Sequence, residues 1–253
     1  MRPRPPLTFL LAMAVGGTSL IAPPITVALD GTERLPDLGM LAPKDFSIQS
    51  RPRGVRWLRF DSVIVNVGPG VFEVEGRGPV DGGTIGEVVQ LVETATGGRT
   101  TVTTPATMFH AGDGHNHWHV RDLQEFTIAR ISTPGNVLGR GAKTGFCFWD
   151  NYRYGSAANA YYHPSTTSAC ELTPAGTVPM GLSVGWGDEY PSSIAFQYID
   201  ISGLPNGDYL VTVKADHHAE FVEANESNNT AWATIRITRK SVRVLASGTD
   251  LQP

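Results

Sequence analysis

The segment DGHNHWHVRD, residues 113–122, places three of the chain's seven histidines at alternate positions: His115, His117 and His119. Alternate residues of a β-strand project from the same face, so the three imidazoles would point in one direction. Neutral imidazole is a good ligand for copper and zinc. Three protein ligands leave coordination positions open, as in catalytic metal sites. The spacing predicts a metal centre, with a buried or an exposed histidine cluster as the alternatives.

A straight strand cannot deliver all three histidines to one ion. Cα atoms four residues apart lie about 13 Å from each other in a strand. A histidine reaches only about 6 Å from its Cα to a metal on Nε2. We therefore expect a bend in the chain, which Gly112 and Gly114 directly upstream would permit. The pattern does not choose between Cu²⁺ and Zn²⁺, and the sequence contains no HExxH motif.

The elements that would position these histidines are short strands. Runs rich in β-branched and aromatic residues recur between turn residues, and helical periodicity is nearly absent. VVQLVET and RTTVTT flank residues 95–98, ATGG, which predicts a hairpin. We expect an all-β fold, a single β-sandwich-like domain whose long loops carry the active site. A short disordered tail is expected after about Ala246.

The N-terminus and the cysteines indicate an exported protein. Residues 1–28 combine a positive start with a short apolar run and small residues, which is typical of a secretory signal peptide. A retained membrane anchor is the alternative. We expect a catalytic domain over 29–253, secreted or extracytoplasmic, with no stable membrane span after cleavage. In that setting Cys147 and Cys170 suggest one disulfide, with two buried free thiols as the alternative.

The net charge limits the partners. A formal charge of −4 argues against a nucleic-acid binder, since such proteins carry basic surfaces.

Several segments, in matching order, resemble the lysyl oxidase family. HNHWHVRDLQEF, residues 115–126, is similar to that family's HxHxH copper motif. GAKTGFCFWD, residues 141–150, is similar to the segment with the lysine of a quinone cofactor. GLSVGWGDEY, residues 181–190, with the following QYIDISGLPNGDYLVTV, is similar to the segment with the cofactor tyrosine. LPDL near residue 35 and FVEANESNN at 221–229 extend the resemblance over most of the chain.

The resemblance implies a copper amine oxidase with a lysine tyrosylquinone made from its own side chains. His115, His117 and His119 would bind copper, and Lys143 and Tyr190 would form the cofactor. The implied reaction is the oxidation of primary amines, either peptidyl lysine or small amines, to aldehydes. Oxygen would be the oxidant, and ammonia and H₂O₂ the other products.

The residues around this cofactor have plainer interpretations too. Lys143 precedes an apolar FCFW run, where an ordinary solvated lysine is the alternative. Tyr190 precedes Pro191, so we expect it on a loop. Asp188, two residues before Tyr190, is the candidate catalytic base, and a surface turn aspartate is the alternative.

A second cluster of oxygen-bearing side chains resembles the family's calcium site. Such ligands suit Ca²⁺. The resemblance assigns this site to Asp37, the Leu38 carbonyl, Glu223, Asn225, Asn228 and Asn229. Asn225 stands where family members commonly have Asp, which removes one negative charge. The alternative is a solvated turn. Asp216-His217-His218 also looks like a metal cluster, but adjacent histidines of a strand point to opposite faces, so we expect an exposed turn instead.

Two other functions compete with the amine oxidase. A secreted zinc hydrolase would use the three histidines and a bound water. A β-sandwich metal-binding or adhesion module would keep the fold without catalysis. Only the oxidase requires both Lys143 and Tyr190.

Overall fold

Antiparallel strands make up most of the protein in a computed structural model, which describes residues 31–112, 116–155, 160–163 and 167–251. The expected signal peptide, residues 1–28, and His115 lie outside the described residues. The prediction of an all-β fold is confirmed. No helix among the residues that are described is long and apolar enough to cross a membrane.

The strands form four antiparallel sheets. The first has the order β1-β7-β5-β15, with β8 paired to β7; its strands are β1 (Glu33–Arg34), β5 (Phe72–Arg77), β7 (Glu87–Thr94), β8 (Arg99–Thr104) and β15 (Val178–Leu182). The second has the order β13-β10-β9-β6; its strands are β6 (Thr84–Ile85), β9 (Met108–His110), β10 (Trp118–Arg121) and β13 (Gly145–Phe146). The β7–β8 pair, with Glu93 opposite Arg99, confirms the predicted hairpin.

The two remaining sheets are built on longer strands. The third has the order β12-β11-β18-β19-β20; its strands are β11 (Gln124–Arg130), β12 (Thr133–Arg140), β18 (Gly207–Ala215), β19 (Thr230–Ile237) and β20 (Val242–Thr249). The fourth is centred on β4; its strands are β2 (Leu38–Met40), β3 (Lys44–Ser50), β4 (Arg56–Asn66), β14 (Tyr152–Arg153), β16 (Trp186–Tyr190) and β17 (Tyr198–Asp200). A 3-10 turn at Pro52–Gly54 joins β3 to β4.

Residues 242–251 are ordered, so the prediction of a disordered tail that begins after about Ala246 is wrong. The pairing of β20 with β19 runs from Val242, opposite Ile237, to Thr249, opposite Ala231. Leu251 is buried against Gly39, which has no side chain to occupy that space. Backbone pairing and one apolar anchor therefore hold a segment whose composition alone suggested a tail.

One hydrophobic core joins strands of all four sheets. Burial along β18 alternates residue by residue, as a strand with one core-facing side requires. Within the core, edge-on aromatic contacts run from Phe60 to Phe126, with ring centroids 5.3 Å apart, then to Phe146 at 6.3 Å. Phe146 in turn contacts Tyr190 edge-on at 5.4 Å. The core therefore extends without a break to the expected cofactor tyrosine.

The disulfide between Cys147 and Cys170 is present, which excludes the free-thiol alternative. The Cys170 carbonyl accepts the Trp118 backbone N–H at 2.9 Å, and the Cys170 N–H donates to the Pro179 carbonyl at 2.8 Å. The bridge therefore connects the segment after β13 to the starts of β10 and β15.

Removal of this bridge should destabilise the protein without changing its fold. The cysteines are separated by 23 positions, and cross-linking a loop of that length contributes about 3 kcal/mol through the unfolded chain. We expect the double variant Cys147→Ala, Cys170→Ala to lose about that amount, measured by urea unfolding with tryptophan fluorescence. A loss below about 1 kcal/mol would show that the bridge does not constrain the unfolded chain.

Candidate active site

Two of the three expected metal-binding histidines are described, and they converge. His119 lies in β10 and is buried, whereas the half-buried His117 lies in a bend just before this strand. Their Nε2 atoms are 2.9 Å apart. Asn116, with a φ of 54°, adopts the left-handed conformation. The chain therefore bends at Asn116 and His117, and Gly112 lies in a turn, whereas Gly114 lies outside the described residues.

The spacing of the two nitrogens fits a shared ion. Nitrogen ligands lie about 2.0 Å from Zn²⁺, and copper is bound by imidazole as well. Two nitrogens bound to one ion would be separated by the 2.9 Å observed between His117 and His119 if the nitrogen–metal–nitrogen angle were near a right angle. The same distance suits a hydrogen bond between the rings. The pair therefore has the chemistry and the separation of two neighbouring metal ligands.

Close packing holds His119 in place. Phe109 contacts its ring edge-on, with centroids 5.7 Å apart. A Cβ atom at Gly145 would lie 2.7 Å from His119 Nδ1 and 2.4 Å from Phe109 Cζ. Only glycine at position 145 leaves room for both rings where β13 pairs with β10.

Lys143 is buried rather than solvated. It lies just before β13 and is 6% exposed. Its Nζ atom is 5.2 Å from the ring centroid of Phe146 and 5.2 Å from that of Tyr190. The primary amine is therefore held over the face of the tyrosine that the resemblance pairs with it.

Tyr190 is the last residue of β16, and the expectation that it lies on a loop is wrong. The pairing of β16 with β4 runs from Gly187, opposite Val65, to Tyr190, opposite Ser62. The strand therefore extends to Tyr190. The phenol is 5% exposed and donates a hydrogen bond of 2.8 Å to the Cys147 carbonyl. Burial, followed by the negative charge of Asp188, raises the pKa of Tyr190 well above its usual value.

Asp188 is in the core and not on a surface turn. It lies on the same strand two residues before Tyr190 and is 1% exposed. Burial raises the pKa of Asp188 well above its usual value, while Tyr190, Asn151 and Lys143 oppose this shift. A carboxylate whose pKa is raised in this way is a stronger proton acceptor.

Small cavities surround these groups. One of about 240 Å³ is lined by His117, His119, Trp149, Asn151, Asp188, Tyr190 and Ile194. A second, of about 150 Å³, is lined by Lys143, His119, Phe109 and Phe196. Since His119 lines both cavities, the histidine pair lies between the cavity at Tyr190 and the cavity at Lys143. The structure therefore brings His117, His119, Lys143, Asp188 and Tyr190 into one site.

The expected calcium ligands converge around Glu223. Its carboxylate accepts hydrogen bonds from the Leu38 backbone N–H and from the Asn229 side-chain amide, the latter at 2.9 Å. Asn228 donates to Asp37 at 2.8 Å. The side-chain oxygens of Asn228 and Asn229 are buried and accept no hydrogen bond from the described residues.

Asn225 differs from the other expected calcium ligands. It is exposed, and its side-chain oxygen accepts hydrogen bonds from the Ser227 backbone N–H at 3.1 Å and the Ser227 hydroxyl at 2.6 Å. In this arrangement Asn225 stabilises its own turn.

Two acidic residues outside the expected set join Glu223. Carboxylate oxygens of Asp216, Glu223 and Glu226 all lie within 4.8 Å of one another. Asp216 is 3% exposed, so its expected place on an exposed turn is wrong, although the neighbouring His218 is exposed. Burial raises the pKa of Asp216 to about 6. Asp216 reaches Glu223 because the chain folds back between β18 and β19, a placement that the Asp216-His217-His218 pattern did not indicate.

Sequence reasoning also missed Trp149 and Asn151. Both line the cavity at Tyr190. They directly follow the FCF run after Lys143, and only the fold brings them to β16. The pairing of Tyr152 with Gly187 in the β14–β16 ladder is the contact that does so.

Comparison with known proteins matches this chain to lysyl oxidases. The sequence profile of the family described as "Lysyl oxidase" matches residues 91–247, more than half of the chain. Lysyl oxidase homolog 2 of Rattus norvegicus is 31% identical over 118 residues, which is 46% of this chain and 14% of that protein. Lysyl oxidase homolog 3 of Homo sapiens is 30% identical over 116 residues, again 46% of this chain and 14% of the relative. The chain therefore aligns with only about a seventh of the length of these curated relatives.

The tight packing at Gly145 predicts the effect of adding one methyl group. Gly145→Ala would push against His119 and Phe109, and overpacking of this kind costs about 1–3 kcal/mol. We expect that loss in the free energy of unfolding, together with altered NMR shifts of the His119 ring. Gly135→Ala on the exposed β12 is the matched control, because its Cβ would contact nothing within 4 Å. Equal stability of the two variants would contradict the packing argument.

Proposed function

Because the chain belongs to the lysyl oxidase family, we propose that it is a copper-dependent amine oxidase that forms a lysine tyrosylquinone from Lys143 and Tyr190. One observation carries this proposal above the others. The Lys143 amine lies 5.2 Å from the Tyr190 ring centroid although the two residues are far apart in sequence, and both side chains are buried beside the histidine pair.

The proposed reaction converts a primary amine, water and oxygen into an aldehyde, ammonia and hydrogen peroxide. R–CH₂–NH₂, O₂ and H₂O give R–CHO, NH₃ and H₂O₂. The amine loses two electrons and two protons to O₂, and water supplies the aldehyde oxygen. Copper and the quinone supply the electron-accepting chemistry that amino-acid side chains lack.

The chain's own residues would position the reactants. His117 and His119, together with His115, are the proposed copper ligands. Trp149 and Ile194 line the cavity at Tyr190 and would exclude water from the bound amine. The small volume of this cavity suits an unbranched aliphatic amine, either free or at the end of a lysine side chain.

Asp188 is the proposed general base. A base must be close to the reacting carbon and must hold a proton during turnover. Asp188 is buried next to Tyr190, and burial raises its pKa, so it can accept a proton from the substrate's α-carbon. Below the raised pKa the carboxyl group is protonated and cannot act as a base, so activity should fall as the pH decreases through that value.

We also propose that the protein acts outside the cytoplasm. Residues 1–28 would be removed as a signal peptide, and the domain over 29–253 would be released. The Cys147–Cys170 disulfide supports this proposal, because such bonds persist in oxidising compartments. Lysine side chains of extracellular proteins would then be accessible as substrates.

Substitution of the two cofactor residues separates the amine oxidase from a zinc hydrolase and from a non-catalytic module. After aerobic copper loading, Lys143→Ala and Tyr190→Phe should each lose the visible quinone absorbance and at least about 100-fold of H₂O₂ production. Both should still bind copper, because neither is a proposed ligand. Absorbance spectra, metal analysis and a peroxidase-coupled assay provide the measurements.

Lys240→Ala and Tyr161→Phe serve as matched controls, because both residues are exposed. Both should retain the absorbance and the activity. Full amine oxidation by Tyr190→Phe would exclude the proposed cofactor. Hydrolase activity of the zinc-loaded protein, unchanged in both cofactor variants, would favour the alternative enzyme.

We propose a calcium site around Glu223 as a second, structural feature. The proposed ligands are Asp37, the Leu38 carbonyl, Glu223, Asn225, Asn228 and Asn229, with Asp216 and Glu226 as further carboxylates. The close approach of three carboxylates and the buried amide oxygens without donors support it. A divalent cation would offset the repulsion among these groups.

Calcium should therefore stabilise the folded chain. An ion that binds only the native state adds about 2.7 kcal/mol at a hundredfold excess over its Kd. We expect a higher melting temperature in millimolar calcium than in chelator, and a smaller difference in Glu223→Gln. Glu171→Gln, an exposed control, should behave as the unsubstituted chain. Identical melting with calcium and with chelator would support the solvated-turn interpretation.

A further inference from the structure

The side-chain amide of Asn151 connects two parts of β16. Its Nδ2 donates a hydrogen bond to Asp188 Oδ1, and its Oδ1 accepts the Glu189 backbone N–H at 2.7 Å. The side-chain amide of Asn151 therefore donates to Asp188 and accepts from the adjacent residue Glu189. The orientation of the amide is therefore fixed by the backbone, and the amide in turn fixes one oxygen of Asp188.

The segment that carries Asn151 is itself held on both sides. Asp150 accepts hydrogen bonds from the Ser183 backbone N–H at 2.9 Å, the Ser183 hydroxyl at 2.6 Å and the Tyr161 backbone N–H at 2.9 Å. The Asn151 backbone N–H donates to the Gly187 carbonyl at 3.1 Å. Cys147, four residues earlier, is in the disulfide. Asn151 therefore extends from a rigid support, as a positioning group requires.

The two oxygens of Asp188 have different surroundings. Oδ1 is held by Asn151, whereas Oδ2 is buried and meets no donor of good hydrogen-bond geometry among the described residues. The Tyr190 hydroxyl, which donates to the Cys147 carbonyl, is close enough to lower the pKa of Asp188. One oxygen is thus fixed, whereas the other has no such donor, and Asp188 lines the cavity shared with Tyr190.

This asymmetry suits a base that removes a proton from carbon. Such a transfer needs one oxygen directed at the C–H bond, and misplacement of a catalytic group by about 1 Å can cost about 100-fold in rate. Without Asn151, the carboxylate could rotate about its terminal torsion, which has a broad and roughly two-fold preference.

We propose that Asn151 is a positioning residue that orients Asp188 for removal of the substrate's α-proton. The proposal rests on the proposed amine oxidase function. Asn151 acts through the hydrogen bond to Asp188 Oδ1.

The kinetic test uses the full chain, loaded aerobically with copper, with Asn151→Ala and Asn151→Ser. We expect kcat for Asn151→Ala to fall about 10- to 100-fold, with KM within about threefold of the unsubstituted protein. The isotope effect on kcat with an α-dideuterated amine should increase, because proton removal becomes slower than the other steps. Asn151→Ser retains a hydroxyl donor, so its kcat should lie between the two. Copper content and quinone absorbance should stay unchanged in both variants.

A second readout uses metal-free protein and does not depend on turnover. The ¹³C signal of the Asp188 carboxyl, assigned with Asp188→Asn, is titrated by NMR. Loss of the Asn151 donor removes an interaction that favours the ionised carboxylate, so the titration midpoint should move to higher pH in Asn151→Ala. Asn136→Ala, on the exposed β12, is the matched control and should change neither the midpoint nor the kinetics.

The outcomes separate this inference from the proposed function. Unchanged kcat and isotope effect in an active Asn151→Ala enzyme would overturn the positioning role while leaving the amine oxidase intact. An unsubstituted chain that forms no quinone and releases no H₂O₂ from any primary amine would overturn the proposed function. An unchanged Asp188 midpoint in Asn151→Ala would overturn the inference in either case.

Discussion

Three ionisable side chains, Lys143, Asp188 and Tyr190, are buried together at the end of an apolar core, and this burial is the constraint on which the site depends. An isolated charge in such surroundings costs several kcal/mol. Close partners reduce that cost: the amine and the carboxylate compensate one another, and the phenol donates to a backbone carbonyl. The same burial raises the proton affinity of Asp188, which suits a general base.

Ionisable side chains that are buried together must be held rigidly, and strands from several sheets hold them here. β16 is paired with β4 in the fourth sheet, whereas β10 and β13 of the second sheet carry His119 and flank Lys143. The aromatic contacts from Phe60 to Tyr190 connect the third and fourth sheets beneath the site. The Cys147–Cys170 bridge connects these parts covalently. The groups come from separate elements: Asp188 and Tyr190 lie on β16, His119 lies on β10, and Lys143 lies just before β13.

Much of the fold and the identity of the site residues could be predicted from the sequence. The runs of β-branched and aromatic residues between turn residues identified the strands, because such side chains pack well on a pleated sheet. Lys143 and Tyr190 were identifiable only through the family resemblance, since neither type nor spacing distinguishes them from structural residues. The burial of these residues could not be predicted in the same way. Pro191 suggested a loop at Tyr190, yet pairing with β4 places Tyr190 and Asp188 in the core. Asn151 had no signal, because its role arises from a contact across the β14–β16 pair.

The central claim is that Lys143 and Tyr190 become one covalent cofactor in the chain itself. The most direct measurement is tandem mass spectrometry of a tryptic digest of the purified protein, after expression with copper and air. The account predicts one branched peptide in which the Lys143 and Tyr190 segments are joined, with no cleavage after Lys143. Full recovery of both segments as separate, unmodified peptides from copper-containing protein would contradict it.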